Sequence, residues 1–279
     1  PNMTAEQIEI LKEQNGLNQP FLVQYLVWLN NILHGNFGNS LLTHHSIAED
    51  LAEKIPNTMA LVLPAYVTAL LLAIGLGLLS AANRGKWLDR AIDGFASVGI
   101  AVPTFWFAMI LIYIFGYRLN LFPFVGMHTL GKEGDFGDYL SHLVLPYLTL
   151  VMAFMPDLIR YIRTSAIVEV DKDYVTVQEA FQASKKEIFG KHVVRNVLIP
   201  IVTQIGMALP MLVTGALITE TIFAWPGVGP YLTSATRALD YPVIMAVMLF
   251  SASLVILGNL LSDVLYSIVD PRISRGGES

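Results

Sequence analysis

The segment from Glu169 to Pro200, EVDKDYVTVQEAFQASKKEIFGKHVVRNVLIP, is a long charged stretch flanked on each side by an apolar run that could cross a bilayer. Its apolar residues lie mostly three to five positions apart and are Val175, Ala180, Ile188, Val193 and Val197. This spacing predicts short amphipathic helices that turn one face to protein and the other to water. A polar helical element between two membrane spans predicts a docking site through which another protein moves the membrane part.

The composition is that of a membrane protein. Of the 279 residues, 54% are hydrophobic and only 14% are charged, whereas an average soluble domain has about 25% charged residues. The net charge of -5 and the lack of a basic stripe with interleaved aromatic residues argue against a nucleic-acid partner. The chain has no cysteine, which excludes disulfides, thiolate metal sites and a cysteine nucleophile.

Five apolar stretches approach the roughly 20 residues needed to cross the hydrocarbon core. They run near Thr58 to Ala81, Ile92 to Gly116, His142 to Ile162, Val197 to Thr219 and Val243 to Val269. The sequence therefore predicts an all-α polytopic membrane protein. Four of the spans contain a proline, which predicts kinked helices; these prolines are Pro64, Pro103, Pro156 and Pro210.

The distribution of basic residues predicts the orientation. Most of the 17 lysines and arginines fall in the loop between the first two spans, in residues 160–196 and in the C-terminal tail. These parts are therefore predicted to be cytoplasmic, because that side of the membrane keeps the excess of Lys and Arg. Residues 1–56 are then an extracytoplasmic amphipathic segment, with helices expected over Thr4 to Gln14 and Phe21 to Leu33. An odd number of spans also leads us to expect a further span before Pro1.

Two outer loops follow from this topology. Phe122 to Tyr139 is rich in glycine and is expected to be irregular. Residues 220–242, ETIFAWPGVGPYLTSATRALDYP, begin with Glu220 and contain the turn-forming residues Trp225, Pro226, Gly227 and Gly229. We expect a re-entrant cap at the outer mouth of the bundle, with a helix over Pro230 to Leu239.

The residues present no catalytic or metal site. The chain lacks the HExxH and GxSxG motifs, and its six histidines have no zinc-like spacing. The segment GMHTLGKE, residues 126–133, has Glu133 where a P-loop needs Ser or Thr, so we do not expect this chain to hydrolyse ATP. Methionines flank two of the span prolines and could form an adaptable wall, although core packing is the commoner use. Our candidates for a translocation pathway are Pro103, Trp106, Met152, Met155, Pro156, Met207, Pro210 and Met211.

Several motifs resemble one family over nearly all of the chain. They are ETIFAWPGVGPYL with DYPVI, NLLSDVLYSIVDPRI, HLVLPYLTL, WLDRAIDGFASVGIAVPTFW, and QIEILKEQNGLNQPFLVQYLVWL with GNFGNS. The chain resembles the inner-membrane permease subunits of binding-protein-dependent ABC importers, in particular the B-type subunit of the oligopeptide, dipeptide and nickel branch.

The resemblance implies a type I ABC importer-like permease in a bacterial cell membrane, with residues 57–279 as its transmembrane domain. It implies one half of a heterodimeric pore with a homologous second permease, two ATPase subunits that hold the ATP and magnesium, and an extracytoplasmic solute-binding protein. The cap, with Glu220, Trp225, Pro226, Gly227 and Gly229, would gate the mouth and receive the binding protein. The cargo would be a peptide, or alternatively nickel or a metal chelate; an ion-driven secondary transporter is the alternative from another class.

The resemblance also assigns the cytoplasmic loop, residues 165–196, to a coupling helix that sits in a cleft of the ATPase. The expected contacts are Asp173, Tyr174, Val175, Glu179, Ala180, Phe181, Ser184, Lys185 and Lys186, with Phe181 as the apolar anchor. The sequence departs from the family motif in two ways: Gln182 stands where the motif glycine is expected, and Glu179-Ala180 is displaced from the usual Glu-Ala position.

Overall fold

The computed structural model describes residues 18–184, 187–197, 201 and 216–269. The α-helices in these ranges are α1 (Phe21–Leu33), α2 (Ile47–Ala82), α3 (Trp87–Ala101), α4 (Thr104–Leu111), α5 (Phe136–Val170), α6 (Asp173–Ala180), α7 (Leu217–Ile222), α8 (Val228–Ala238) and α9 (Tyr241–Val269). The structure also has two π-helical segments, Ile112–Arg118 and Ile188–Val193.

The long helices α2 and α5 pack along each other and form the centre of the bundle. Their contact residues include Leu61, Ala65, Ala69, Leu150 and Ile159, each with no exposed surface. The apolar side chains on the outside of α2 and α9 are in contrast substantially exposed, as expected for surfaces that face lipid or another membrane subunit.

Small residues allow α3 to approach α5 closely. A Cβ atom at Gly99 would lie 2.5 Å from Cγ of Pro156, well inside van der Waals contact. Pro156, one of the predicted pathway residues, is therefore buried against α3, and only glycine at position 99 permits this packing.

Three described helices, α2, α5 and α9, are long and apolar enough to cross a membrane. The predicted first, third and fifth spans lie within them, although α2 begins eleven residues before Thr58 and crosses the predicted boundary at residues 56 and 57. Most of the predicted fourth span, residues 202–215, lies outside the described residues. The helix predicted over Thr4 to Gln14 also lies outside them, and the helix predicted over Phe21 to Leu33 is confirmed as α1.

The predicted second span corresponds to two helices separated by a break, which is a larger disturbance than the predicted kink. The helix is interrupted at Val102 and Pro103, and its two halves, Trp87–Ala101 and Thr104–Arg118, meet at an angle of 97°. Proline disfavours the helical region for the residue before it and lacks an N–H of its own. Val102 accordingly adopts an extended conformation with ψ of 118°.

A buried ion pair joins three helices at the predicted cytoplasmic end of the bundle. Arg163 of α5 donates from Nε to Oδ1 of Asp89 at 2.7 Å and from Nη2 to Oδ2 at 3.0 Å. The Ser80 hydroxyl of α2 donates to Oδ1 of Asp89 at 2.6 Å, and the Gly85 N–H donates to Oδ2 at 2.8 Å. Asp89 is only 3% exposed, so these donors replace the water that its carboxylate would otherwise need.

Candidate functional site

The first candidate site is the cytoplasmic coupling segment, which α6 and the following turn form. Phe181 directly follows α6 and is 82% exposed, an unusual position for a large apolar side chain on a polar surface. Asp173, Ala180 and Ser184 are also exposed, whereas Val175 is buried toward the bundle. Tyr174 is half-buried. Lys185, Lys186 and the side chain of Glu179 lie outside the described part of the chain.

A set of polar contacts holds the coupling segment onto α5. The Asn196 side chain donates to Oε1 of Glu169 at 2.7 Å and to the Tyr174 hydroxyl at 3.5 Å. Lys172 Nζ lies 2.5 Å from Oε2 of Glu169. Because Glu169 lies in the last turn of α5 and is 7% exposed, these contacts attach both ends of the coupling segment, near Tyr174 and near Asn196, to α5. Glu169 and Asn196 both lie within the segment that the sequence singled out, but their part in attaching it to α5 was not predicted.

The turn after α6 explains the family glycine. Gln182 has a φ of +63°, in the left-handed region, and the N–H of Ala183 donates to the carbonyl of Gln178 at 3.1 Å. This is the hydrogen bond of a Schellman helix end, whose left-handed residue is usually glycine. Gln182 therefore occupies the glycine position of the turn and keeps its conformation at some cost in strain.

Replacing Gln182 with Gly is expected to stabilise the coupling segment by up to about 1 kcal/mol, because the left-handed conformation costs glycine nothing. Hydrogen exchange of the amides in residues 173–184 measures the change as slower exchange. The matched control is Gln178→Gly, which lies inside α6 and should accelerate exchange by a similar free energy. Faster exchange in the Gln182→Gly variant would contradict this account of the turn.

The second candidate site is the outer cap, which α7, the turn at residues 223–227 and α8 form. Glu220 is completely buried at its centre. Its Oε2 accepts a hydrogen bond from the N–H of Gly229 at 2.7 Å, and the Thr58 hydroxyl of α2 accepts one from the N–H of Val228 at 2.9 Å. Both N–H groups belong to the first turn of α8, where the backbone N–H groups have no partner within the helix and need acceptors from elsewhere.

The cap turn folds tightly around Glu220. A Cβ atom at Gly229 would lie 2.8 Å from Oε2 of Glu220 and 2.7 Å from Cα of Leu217, so the backbone contact requires glycine. Trp225 has no exposed surface and donates from Nε1 to the carbonyl of Asn57 at 2.9 Å. The Asn57 side chain in turn donates to the carbonyl of Pro226 at 3.0 Å.

These contacts correct one part of the sequence interpretation. Trp225 was expected to help receive the binding protein, but it is a buried anchor that ties the cap to the start of the predicted first span. Glu220, Gly227 and Gly229 are buried as well, and Pro226 alone of the five predicted cap residues is exposed. In this conformation four of the five residues build the interior of the cap. Any contact with the solute-binding protein therefore depends on the exposed surface of the cap. The predicted turn and helix are confirmed, since α8 covers most of Pro230 to Leu239.

The cap also packs against the extracytoplasmic segment. The Ser40 hydroxyl donates to Oδ2 of Asp240 at 2.6 Å, and the N–H of Leu42 donates to the same oxygen at 3.2 Å. Burial alone would raise the pKa of Asp240, but these and neighbouring hydrogen bonds hold it below its usual value. Ile47 and Leu51 of α2 share an apolar cluster with Val228 of α8 and with the first turns of α9. Distant parts of the chain thus form one outer unit.

The cap is expected to be less stable at high pH. Burial raises the pKa of Glu220 from 4.5 to about 7. The folded cap therefore favours the protonated carboxyl, and its stability falls as the pH rises from 4.5 through about 7. Glu220→Gln keeps a hydrogen-bond acceptor for the N–H of Gly229 and cannot ionise. The variant should gain up to about 3 kcal/mol over the wild type at pH 8 and almost nothing at pH 4.

Thermal unfolding of the purified protein across this pH range measures the difference. Glu53→Gln is the matched control, because Glu53 lies on the same outer side of α2 and is exposed. Its substitution should shift stability little and equally at both pH values. An equal gain for Glu220→Gln at pH 4 and pH 8 would contradict the raised pKa.

The predicted pathway residues fall into two groups. Trp106, half exposed, and Met152 line a small cavity of about 150 Å³ beside the break at Val102 and Pro103. Met155 and Pro156 are instead buried between helices. Met207, Pro210 and Met211 lie outside the described residues. The structure thus brings Trp106 and Met152 together, with Pro103 at the adjacent break, and the role of these residues in a pathway stays a prediction.

Comparison with solved structures identifies the fold. Two inward-facing crystal forms of the MetNI methionine ABC transporter match with TM-scores of 0.62 and 0.64, at 15% sequence identity, over 79% of this chain and 96% of the matched chain. The fold is therefore that of a type I ABC importer permease.

Comparison of sequences identifies the family. Residues 73–275 match the model of the family "Binding-protein-dependent transport system inner membrane component". The oligopeptide transport system permease protein AppB of Bacillus subtilis is 38% identical over 98% of this chain and 87% of its own length. The probable D,D-dipeptide transport system permease protein DdpB of Escherichia coli is 35% identical over 97% of this chain and 85% of its own length. The chain belongs to this family of inner-membrane transport components.

Proposed function

We propose that this chain forms half of the pore of an ATP-driven peptide importer and transmits the movement of separate ATPase subunits to that pore. The observation that carries the proposal is the exposure of Phe181 at the end of a short helix that is itself held to α5 by Glu169, Asn196 and Tyr174. An exposed aromatic side chain on a held helix is suited to fill a pocket in a partner.

The path from the coupling segment to the bundle is continuous. A force on α6 reaches α5 through Glu169 and Val175, and α5 reaches α2 and α3 through Arg163 and its partners Asp89 and Ser80. At the outer end, α2 contacts the cap through Asn57 and Thr58. A rigid-body movement of α2 and α5 would therefore displace the cap, which supports its role as the outer gate.

Peptide cargo is supported by the relatives. AppB and DdpB are permeases of an oligopeptide and a D,D-dipeptide system, and these names favour peptides over nickel or a metal chelate. The exposed surface of the outer unit, around α8 and the loop at residues 38–46, is our candidate for contact with the solute-binding protein.

The test is import into liposomes that contain the complete complex, with ATP inside and a loaded binding protein outside. Labelled dipeptides and oligopeptides should accumulate only with ATP, and a proton uncoupler should have no effect. Accumulation without ATP that the uncoupler stops would instead support an ion-driven secondary transporter. Uptake of nickel in place of peptides would contradict the cargo but not the coupling to an ATPase.

A further inference from the structure

A cleft of about 630 Å³ lies between the inner end of the bundle and the coupling segment. Its wall is mostly apolar and includes Ile167 of α5, Val175 of α6, and Phe189 and Val193 of the second π-helical segment. Arg84 and Lys86, from the loop between α2 and α3, also line it. We call this feature the inner cleft. An apolar wall with cations at one side fits a ligand that has an apolar body and an anionic head.

The distribution of basic residues predicts that the inner cleft lies at the level of the cytoplasmic lipid headgroups. The loop that carries Arg84 and Lys86 connects the cytoplasmic ends of α2 and α3, according to the bias in basic residues. Trp87, the next residue, is 77% exposed, and Arg90 is exposed one turn further along α3. Exposed tryptophan together with basic residues is typical of this membrane depth, where the surface is anionic.

The two cations of the inner cleft differ in their partners. Arg84 donates to both carboxylate oxygens of Asp171 at 3.0 and 3.1 Å, so much of its charge is compensated. Lys86 has no ion pair within the described ranges, and its side chain is exposed. Lys86 is therefore the cation best placed to bind an anionic group at the cleft.

From this geometry we infer that the inner cleft binds an anionic phospholipid from the inner leaflet, with its phosphate at Lys86 and an acyl chain along Ile167, Phe189 and Val193. The lipid contacts both α5 and the coupling segment, because the wall contains residues of each. Anionic lipid then strengthens the attachment of the coupling segment to the bundle.

The test compares complexes in nanodiscs of phosphatidylcholine alone with complexes in nanodiscs that also contain phosphatidylglycerol. Native mass spectrometry of the released complex counts bound phosphatidylglycerol. Lys86→Gln should weaken its retention about fivefold, and Ala82→Trp, which fills the cleft from an exposed position, should abolish it. Lys132→Gln, on the exposed outer loop, should retain the lipid like the wild type.

Retention that is unchanged in both cleft variants would overturn the inference. So would a bound species without acyl chains, or a protein segment found in the cleft by cross-linking. Phosphatidylglycerol with a photoreactive acyl chain provides a test on the unsubstituted complex. It should label the peptide that contains Phe189 and Val193, and labelling confined to other helices would contradict the site even if a variant failed to fold.

Discussion

Replacing Phe181 with Asp is expected to abolish ATP-driven import while the membrane part stays folded. Phe181 is 82% exposed and makes no contribution to the core, so its loss should hardly change the stability of the chain. In the assembled transporter we expect it to fill a pocket of the ATPase, and such buried aromatic anchors carry about 2 kcal/mol or more of binding free energy. The affinity for the ATPase should fall at least about 30-fold.

Two measurements on the same preparation check this expectation. Retention of the ATPase during purification in detergent reports the affinity, and peptide uptake into liposomes reports coupling. Phe136→Asp is the matched control, because Phe136 is an exposed aromatic residue on the predicted outer side and should leave ATPase retention unchanged. Normal retention and uptake in the Phe181→Asp variant would remove Phe181 from the docking surface.

Replacing Arg163 with Met is expected to destabilise the bundle by about 3 to 5 kcal/mol. The substitution keeps much of the apolar length of the side chain but leaves the buried carboxylate of Asp89 without its counter-charge. The Ser80 hydroxyl and the Gly85 N–H remain as donors, but they cannot compensate a full negative charge in a buried site. A lower midpoint of thermal unfolding and a lower yield in the membrane should both follow.

The matched control is Arg84→Met. Arg84 also pairs with an aspartate, since its Nη1 donates to both carboxylate oxygens of Asp171, but both side chains are more than half exposed, so its loss should cost less than about 1 kcal/mol. The double variant Asp89→Asn with Arg163→Met should recover part of the lost stability, because it removes the orphaned charge. Equal effects of the two arginine substitutions would show that burial of the Asp89 pair is not what stabilises the bundle.

The spans and their prolines show which features of the fold can be predicted from local sequence patterns. The apolar stretches predicted α2, α5 and α9, because hydropathy over about 20 residues depends on near neighbours alone. Pro103 signalled a disturbance in the second span but not its size of 97°, because a proline helix can either bend or stop. In this protein the helix stops, and the packing beside the break includes the close contact of Gly99 with Pro156.

The two candidate sites also differ in how much of each the sequence predicted. Short helices in the coupling segment were predicted from its spacing; α6 confirms one of them, and the coupling role of Phe181 stays a prediction. The left-handed conformation of Gln182 explains why the family motif has glycine at this position, and the sequence alone did not show that conformation. The burial of Trp225 and Glu220 in the cap was not predicted, because their aromatic and acidic side chains are also common at interfaces.

The residues alone indicated the membrane class of this protein. They also predicted its orientation and the place of its coupling segment. Those properties depend on local hydropathy and on the distribution of lysine and arginine, both of which can be read along the chain. The tertiary structure alone decided that Arg163 pairs with Asp89, 74 positions away, and that Thr58 holds the first turn of α8, 170 positions away. Such partners are chosen when helices pack, because only then does each buried polar group have to find its donor or acceptor.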